Sequence, residues 1–274
     1  MIVLSRPSGQ SGPDCRFFSS GQIFPLSLFE RGITVNGYVH SIETMGLVDG
    51  PGIRTVVFLA GCRLRCRFCH NPDTWAEGQG QVFTPESLLK RLQRFRTYYR
   101  ASGGGVTFSG GEPLMQPGFL RETLRLCKEA GIHTCLDTAG VSEADEGTLR
   151  GILENTSLVL FDVKDYDPAR YRELTGQPID CSERFIGLVQ QMGVPIWVRQ
   201  VVRPGVNDTE SYLEGLRAYA GRMQGVERVE LLPYHILGAH KYEAMGIPYP
   251  LAGMPPMDPE KCRALQEKYF PAST

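Results

Sequence analysis

From Gly37 onward, short β-branched apolar runs alternate with stretches whose apolar residues recur at helical spacing. The runs Thr55–Leu59, Val106–Ser109, Thr134–Asp137, Leu158–Val163, Ile196–Val202 and Val229–Leu232 predict strands. Several are apolar at consecutive positions, as in strands covered on both faces. Helix starts lie between them. Thr84-Pro85-Glu86 places a capping residue before a proline at the first helical position, and Leu88, Leu89, Leu92 and Phe95 follow at helical spacing. Leu120, Leu124 and Cys127 repeat the pattern, which stops at Gly131. Asp208 and Asp258-Pro259 predict two more starts. Six strand–helix alternations imply a parallel sheet with right-handed crossovers. With no clear sheet reversal, they favour an α/β fold of open or partial barrel type, a (β/α)6 arrangement, over a doubly wound sheet. Either fold gathers its ligands at the C-terminal ends of the strands.

Residues 1–36 break this pattern. Pro7-Ser8-Gly9, Ser11-Gly12-Pro13 and Ser19-Ser20-Gly21 punctuate them, and periodicity is poor. They read as a mostly disordered extension, leaving residues 37–274 as one barrel domain. Ile2 to Leu4 is too short for the apolar stretch of a secretory signal. An organelle transit peptide and an overlong start both remain open.

Composition narrows the function classes. Of 274 residues 42% are hydrophobic and 22% charged, enough for a sizeable core. The apolar run Val56 to Ala60 is far short of the roughly 20 residues that span a bilayer. The formal charge is −1, with no global footprint for nucleic acid or an anionic membrane. Eight cysteines are too few for a disulfide scaffold in a chain of this length. Cys15, Cys127, Cys135, Cys181 and Cys262 are scattered, but Cys62, Cys66 and Cys69 crowd together after the first strand. Such clustering points to a metal in a reducing compartment.

The triplet reads Cys62-x3-Cys66-x2-Cys69, with Arg63, Arg65 and Arg67 interleaved. Structural zinc usually takes four protein ligands. Here a fourth is not obvious, because His70 directly follows Cys69. Three thiolates with one open position fit an iron–sulfur cluster that leaves one iron free. The arginines could offset the cluster's negative charge. A zinc knuckle completed by a distant cysteine is the alternative.

This spacing resembles the radical S-adenosylmethionine family, whose members have a partial (β/α)6 barrel and a [4Fe–4S] cluster on three cysteines. The resemblance implies that Cys62, Cys66 and Cys69 are the ligands, that S-adenosylmethionine chelates the free iron, and that Phe68 lies near its adenine. Four further patches then gain meaning. Ser109-Gly110-Gly111-Glu112-Pro113 follows the second strand and looks like the family's motif for the amino group of S-adenosylmethionine. Glycines there let backbone come close. Asp137-Thr138 and Asp162-Val163-Lys164 end the third and fourth strands. Asp162 and Lys164, two apart, point to one side. The resemblance implies that Asp162, Val163 and Lys164 line the cofactor site, and that Asp137, Thr138 and Asp162 hold a monovalent cation. His235 ends the sixth strand, and it and His70 are expected to touch the cofactor too. Within the family, Asp49-Gly50-Pro51-Gly52-Ile53-Arg54, Cys69-His70-Asn71, Ala101–Thr107, Gly131–Thr138 and Glu230–His235 resemble the glycyl radical activating enzymes that act on formate acetyltransferase (pyruvate formate-lyase). Asn71 to Thr84 is short and free of cysteine, so the ferredoxin-like insert of other activases is absent.

That resemblance implies reductive cleavage of S-adenosylmethionine to methionine and a 5′-deoxyadenosyl radical, which takes a hydrogen from one glycine of the partner. Asp49, His70 and Arg199 are expected at the partner's loop. A flavodoxin or ferredoxin is the expected electron donor, and a cytoplasmic monomer is expected. Activation of another glycyl radical enzyme, such as anaerobic ribonucleotide reductase, is the nearest alternative.

Overall fold

The computed structural model describes residues 35–271; the expected extension lies almost entirely outside them. One eight-stranded sheet organises the chain. The chain enters through strand β1 (Gly37–Gly46), then β2 (Arg54–Leu59) and the short β3 (Gln81–Phe83). Helices α1 (Pro85–Leu92) and α2 (Arg96–Ser102) lead to β4 (Gly105–Gly110), and α3 (Pro117–Glu129) leads to β5 (His133–Thr138). Next come α4 (Glu146–Leu153), β6 (Leu158–Asp162), α5 (Pro168–Thr175), α6 (Asp180–Gln191) and β7 (Ile196–Val202). The chain closes with α7 (Glu210–Ala220), β8 (Val226–Pro233), α8 (Ala239–Ala244) and α9 (Pro259–Tyr269).

The order across the sheet is β3-β1-β2-β4-β5-β6-β7-β8. The six strands β2, β4, β5, β6, β7 and β8 are parallel and correspond to the six predicted from sequence. β8 pairs only with β7, so the barrel stays open. Two strands were not predicted. β1 and β3 add antiparallel pairs beyond β2. β1 carries two register irregularities and is buried on alternate residues only at its start, so its pattern has no sustained period.

Alternation along the parallel strands sorts side chains into two layers. Val57, Leu59, Val106, Phe108, Leu136, Val159 and Phe161 face the helices and belong to the main core. The opposite parity faces inward. Cys135, Leu158, Leu160 and Trp197 form a separate apolar floor, and Ser109, Asp137, Asp162 and Arg199 stand above it on the same faces. Apolar floor and polar mouth are thus written on one set of strand positions.

Helix starts follow the predicted chemistry with one shift. Thr84 caps α1 reciprocally with Ser87, and Asp258 caps α9 ahead of Pro259. At α7 the cap is Thr209. Asp208, expected there, accepts instead from Gly205 N at 2.8 Å and pairs with Lys261 at 2.6 Å.

At the open side, Gln266 of α9 lies against β8. Its amide accepts from Leu231 N at 2.7 Å and donates to Val229 O at 2.8 Å.

Candidate functional site

A cavity of about 290 Å³ opens at the C-terminal ends of the parallel strands. It brings together Cys62, Cys66, Phe68, Cys69 and His70 with Gly110, Gly111 and Glu112, and with Asp137, Thr138, Asp162, Lys164, Arg199 and Asp49. Residues from six chain segments thus meet on one space. Phe58, Trp75 and Ser109 also line it. Sequence reasoning missed Phe58 and Trp75; Ser109 opens the motif already singled out and shares the inner face of β4 with Thr107.

The cysteine loop is held by backbone. Gly61 N donates to Thr74 O at 2.7 Å and Cys62 N to Trp75 O at 3.1 Å. Arg65 N and Arg67 N donate to Thr175 O and Leu174 O at 2.8 and 3.0 Å. They satisfy carbonyls at the end of α5 that have no helical partner. All three thiols are free of disulfides. Burial raises all three: Cys62 and Cys69 rise above the ordinary thiol range, and Cys66 is pushed up to about 12. Buried thiols that stand together want a cation to stabilise their thiolates.

The interleaved arginines do not supply it, which corrects the expectation drawn from their spacing. Arg63 pairs with Glu143 and Glu77, and Arg67 with Glu173 at 3.1 Å. Arg65 donates to Cys62 O at 2.7 Å and covers the Trp75 ring at 4.7 Å. From Cys62 to Phe68 buried and more exposed positions alternate, which turns these side chains outward while Cys62 and Cys66 turn in. The cation facing the thiols is Lys164, whose charge tends to lower Cys66 and Cys69. Lys164 donates to Asp162 at 2.8 Å and sits 5.6 Å from the Phe68 ring centre. Burial opposes its charge, but Asp162 and then Cys66 outweigh that and hold its pKa above the ordinary value.

The two glycines after β4 make the close approach possible. Gly110 has φ +123°, and a Cβ there would lie 2.3 Å from Leu59 N and O. A Cβ on Gly111 would lie 2.4 Å from Gly61 O and 3.0 Å from Cys62 Cβ. Only a bare backbone fits between the cysteine loop and β4. Glu112 behaves differently from its neighbours. Its carboxylate accepts from Thr138 Oγ1 at 2.5 Å, Ala139 N at 3.0 Å and Leu114 N at 3.1 Å. It ties the end of β4 to the end of β5, and burial pushes its pKa up to about 7 against those hydrogen bonds.

The acidic residues are already neutralised by side chains. Asp137 accepts from Ser109 Oγ at 2.6 Å and from Arg199 at 3.2 Å. Arg199 also lies 3.7 Å from Asp49. Burial lifts Asp137 to about 6, with Arg199 pulling the other way. Asp162 is held below the ordinary value because Lys164 and Arg199 outweigh its burial. The three residues expected at a monovalent cation, Asp137, Thr138 and Asp162, are thus committed to Arg199, Glu112 and Lys164. Among the described residues no three His, Cys, Asp or Glu side chains converge as they would on a single metal ion. A cubane spreads its ligands over separate irons, so the three thiols on one cavity fit that group.

Two expected residues sit outside the cavity lining. Val163 is buried in the core, and its N–H donates to Arg199 O at 2.9 Å. His235 stacks on His70 with ring centres 3.8 Å apart, and its Nδ1 is buried without a partner. His70 donates through Nε2 to His235 O at 2.9 Å. Burial, then His235, lowers its pKa to about 4. His70 is therefore neutral near pH 7, with Nδ1 left as an acceptor. Arg203, which sequence reasoning did not flag, covers the Phe68 ring at 5.7 Å.

Comparisons agree with this geometry. The model of the Radical SAM superfamily matches residues 56–213, more than half of the chain. A pyruvate formate-lyase-activating enzyme of Clostridium pasteurianum is 50% identical over 236 residues, 86% of this chain and 98% of the relative. A pyruvate formate-lyase 1-activating enzyme of Escherichia coli strain K12 is 41% identical over 240 residues, 86% of this chain and 98% of the relative. Among solved structures, a radical SAM methyltransferase from Sphaerobacter thermophilus aligns with TM-score 0.54 and 16% identity, over 92% of this chain and 81% of that one; it speaks for the fold. The cysteine loop, the double glycine and the open parallel barrel thus sit in a chain that belongs to the radical SAM superfamily and, within it, to the pyruvate formate-lyase-activating enzymes.

Proposed function

We propose that this chain installs the glycyl radical in a pyruvate formate-lyase. The observation that carries the reading is the joining of three free cysteines, Cys62 and Cys66 buried and Cys69 half-buried, to the Gly110-Gly111 backbone and to Lys164 on one cavity. Cys62, Cys66 and Cys69 would hold a [4Fe–4S] cluster. When bound, that cluster supplies the electron that cleaves S-adenosylmethionine to methionine and the 5′-deoxyadenosyl radical that oxidises the glycine. The chain's own residues bind, orient and exclude water. Carbonyls around Gly110 and Gly111 accept the methionyl ammonium protons, Lys164 meets the carboxylate, and Phe68 and His235 border the nucleoside. Asp49, neutral His70 and Arg199 present an acceptor pair and a donor to the backbone of the partner's loop. A monovalent cation would have to displace Arg199 or Lys164 from Asp137 or Asp162.

The reading extends to the chain's surroundings. Residues 37–274 form the working domain, and residues 1–36 are dispensable for chemistry. The electron donor is a flavodoxin or ferredoxin, and the enzyme works as a cytoplasmic monomer. No described helix is long and apolar enough to cross a membrane. The test is electron paramagnetic resonance on the anaerobically reconstituted protein with pyruvate formate-lyase, reductant and S-adenosylmethionine. A glycyl signal on that partner supports the reading. A signal only on anaerobic ribonucleotide reductase, or zinc without sulfide in the protein, overturns it.

A further inference from the structure

The inner face of the barrel buries an arginine that forms no ion pair with a described carboxylate. Arg54 opens β2 and is fully buried. Its Nε donates to Thr107 Oγ1 at 2.6 Å, Nη1 to Pro51 O at 3.1 Å, and Nη2 to Val106 O. Among the described residues no acidic side chain pairs with it. A buried charge is costly unless it is fully hydrogen-bonded, and here its partners are the Thr107 hydroxyl, backbone carbonyls and, at 3.5 Å, His133 Nδ1.

Those partners form a relay. Having accepted from Arg54, the Thr107 hydroxyl donates to Asp49 O at 2.6 Å. The turn from Asp49 to Gly52 is thus held through Thr107 at one end and directly at Pro51 O. Its far side is clamped on the segment before β4. Ile53 N donates to Ser102 Oγ at 2.8 Å and Gly105 N to Ile53 O at 3.2 Å. A Cβ on Gly52, where φ is +66°, would lie 2.5 Å from Gly104 N and Ser102 O. The two glycine-rich segments therefore interlock, and the backbone of Asp49 has little freedom. From that fixed backbone the Asp49 carboxylate reaches the cavity and Arg199, 3.7 Å away. Thr107 itself does not line the cavity.

We infer that Thr107 and Arg54 are positioning residues that aim the Asp49 carboxylate at the partner's loop. The inference rests on the reading that Asp49 meets that loop. A loop entering from another protein is ordered only on arrival, so its N–H groups gain most from an acceptor already fixed in place.

The test uses the reconstituted holoenzyme and a synthetic peptide spanning the glycyl radical site of pyruvate formate-lyase. Thr107→Val, Thr107→Ser, Asp49→Asn and the double variant Asp49→Asn/Thr107→Val are compared. Three quantities are read: peptide KM and kcat, peptide affinity by fluorescence anisotropy without reductant, and S-adenosylmethionine affinity. Thr107→Val should weaken peptide binding and raise KM about tenfold, one decade of affinity, with kcat and S-adenosylmethionine affinity within about twofold. Thr107→Ser should restore the peptide values. In the Asp49→Asn background Thr107→Val should add nothing, because both act through one carboxylate. If Asp49→Asn weakens the peptide while Thr107→Val does not, the inference alone fails. If Asp49→Asn leaves the peptide unaffected, the reading of Asp49 fails and takes the inference with it. Equal losses in kcat, peptide and cofactor affinity after Thr107→Val would mark general damage and also overturn it.

Discussion

Replacing Arg199 with Gln tests whether the polar mouth is held by charge. Arg199 is nearly buried, 3.2 Å from Asp137 and 3.7 Å from Asp49. At an effective dielectric constant of about 20, unit charges at the shorter distance attract by about 5 kcal/mol. Desolvation takes back part, and removing one partner of a buried pair costs about 3–5 kcal/mol. Asp137, at about 6 with Arg199 present, would lose its main cation. Each pKa step is 1.36 kcal/mol, so a loss of about 3 kcal/mol carries Asp137 further above the ordinary carboxylate range. Below about pH 5 Asp137 is largely protonated in both proteins, and the missing cation matters least. As pH rises through 6, wild-type Asp137 ionises beside Arg199 while the variant must either keep its proton or bury an unpaired charge. The deficit of Arg199→Gln should therefore grow between about pH 5 and 8. At roughly 2–4 °C per kcal/mol for a domain of this size, the melting temperature should fall by about 10 °C at pH 8 and by clearly less at pH 5. Thermal unfolding followed by circular dichroism across that range reads both values. A deficit that is constant, or larger at pH 5, would refute the charge argument.

Other outcomes follow from the same geometry. Cys62→Ala, Cys66→Ala or Cys69→Ala should each abolish S-adenosylmethionine cleavage and lower the iron and sulfide count, whereas Cys127→Ala and Cys262→Ala, in the helix layer, should not. Gly111→Ala drives a methyl group to 2.4 Å from Gly61 O; we expect a loss of about 1–3 kcal/mol from overpacking and lower cluster content, read by melting temperature and iron analysis. Glu112, raised to about 7 by burial, binds its proton more tightly folded than unfolded. Its contribution is full below the unfolded value near 4.5 and is lost as pH rises through 7. Wild type should lose stability relative to Glu112→Gln over that window, and a difference in denaturant midpoint that is flat with pH would contradict this. A chain beginning at Val35 should retain cluster content and activity; cluster-free protein would show that residues 1–34 support the barrel.

Four parallel strands, β2, β4, β5 and β6, were legible because burial on both faces leaves apolar residues at consecutive positions; β7 and β8 were legible from shorter apolar runs. The cysteine triplet and the double glycine were legible because their chemistry lies within a few residues of sequence. β1 and β3 were not: one is irregular and half-polar, the other three residues long. Pairings across the barrel were hidden as well. Nothing local ties Arg199 to Asp137, 62 residues away, or Thr107 to Asp49, 58 away. Glu112 reads as a ligand from its motif, yet its oxygens are taken by the end of β5. His235 follows the end of β8 as expected, but its stacking on His70, 165 residues away in sequence, has no local signal. Sequence marks which residues carry chemistry; the crossing of distant strands decides what each one touches.

An open barrel leaves two sheet margins, and a bare margin recruits strands from other molecules. At β8, Gln266 stands in for a missing neighbour strand, supplying an acceptor to Leu231 N and a donor to Val229 O in the places a ladder would use. At the other margin β3 covers only Gly37–Val39 of β1, and the rest of that strand is broken by register shifts, which blunt an edge. The barrel can therefore stay open between its margins without inviting copies of itself to stack edge to edge. One side-chain amide guards against aggregation, and Gln266→Leu should show its worth as concentration-dependent light scattering on mild heating.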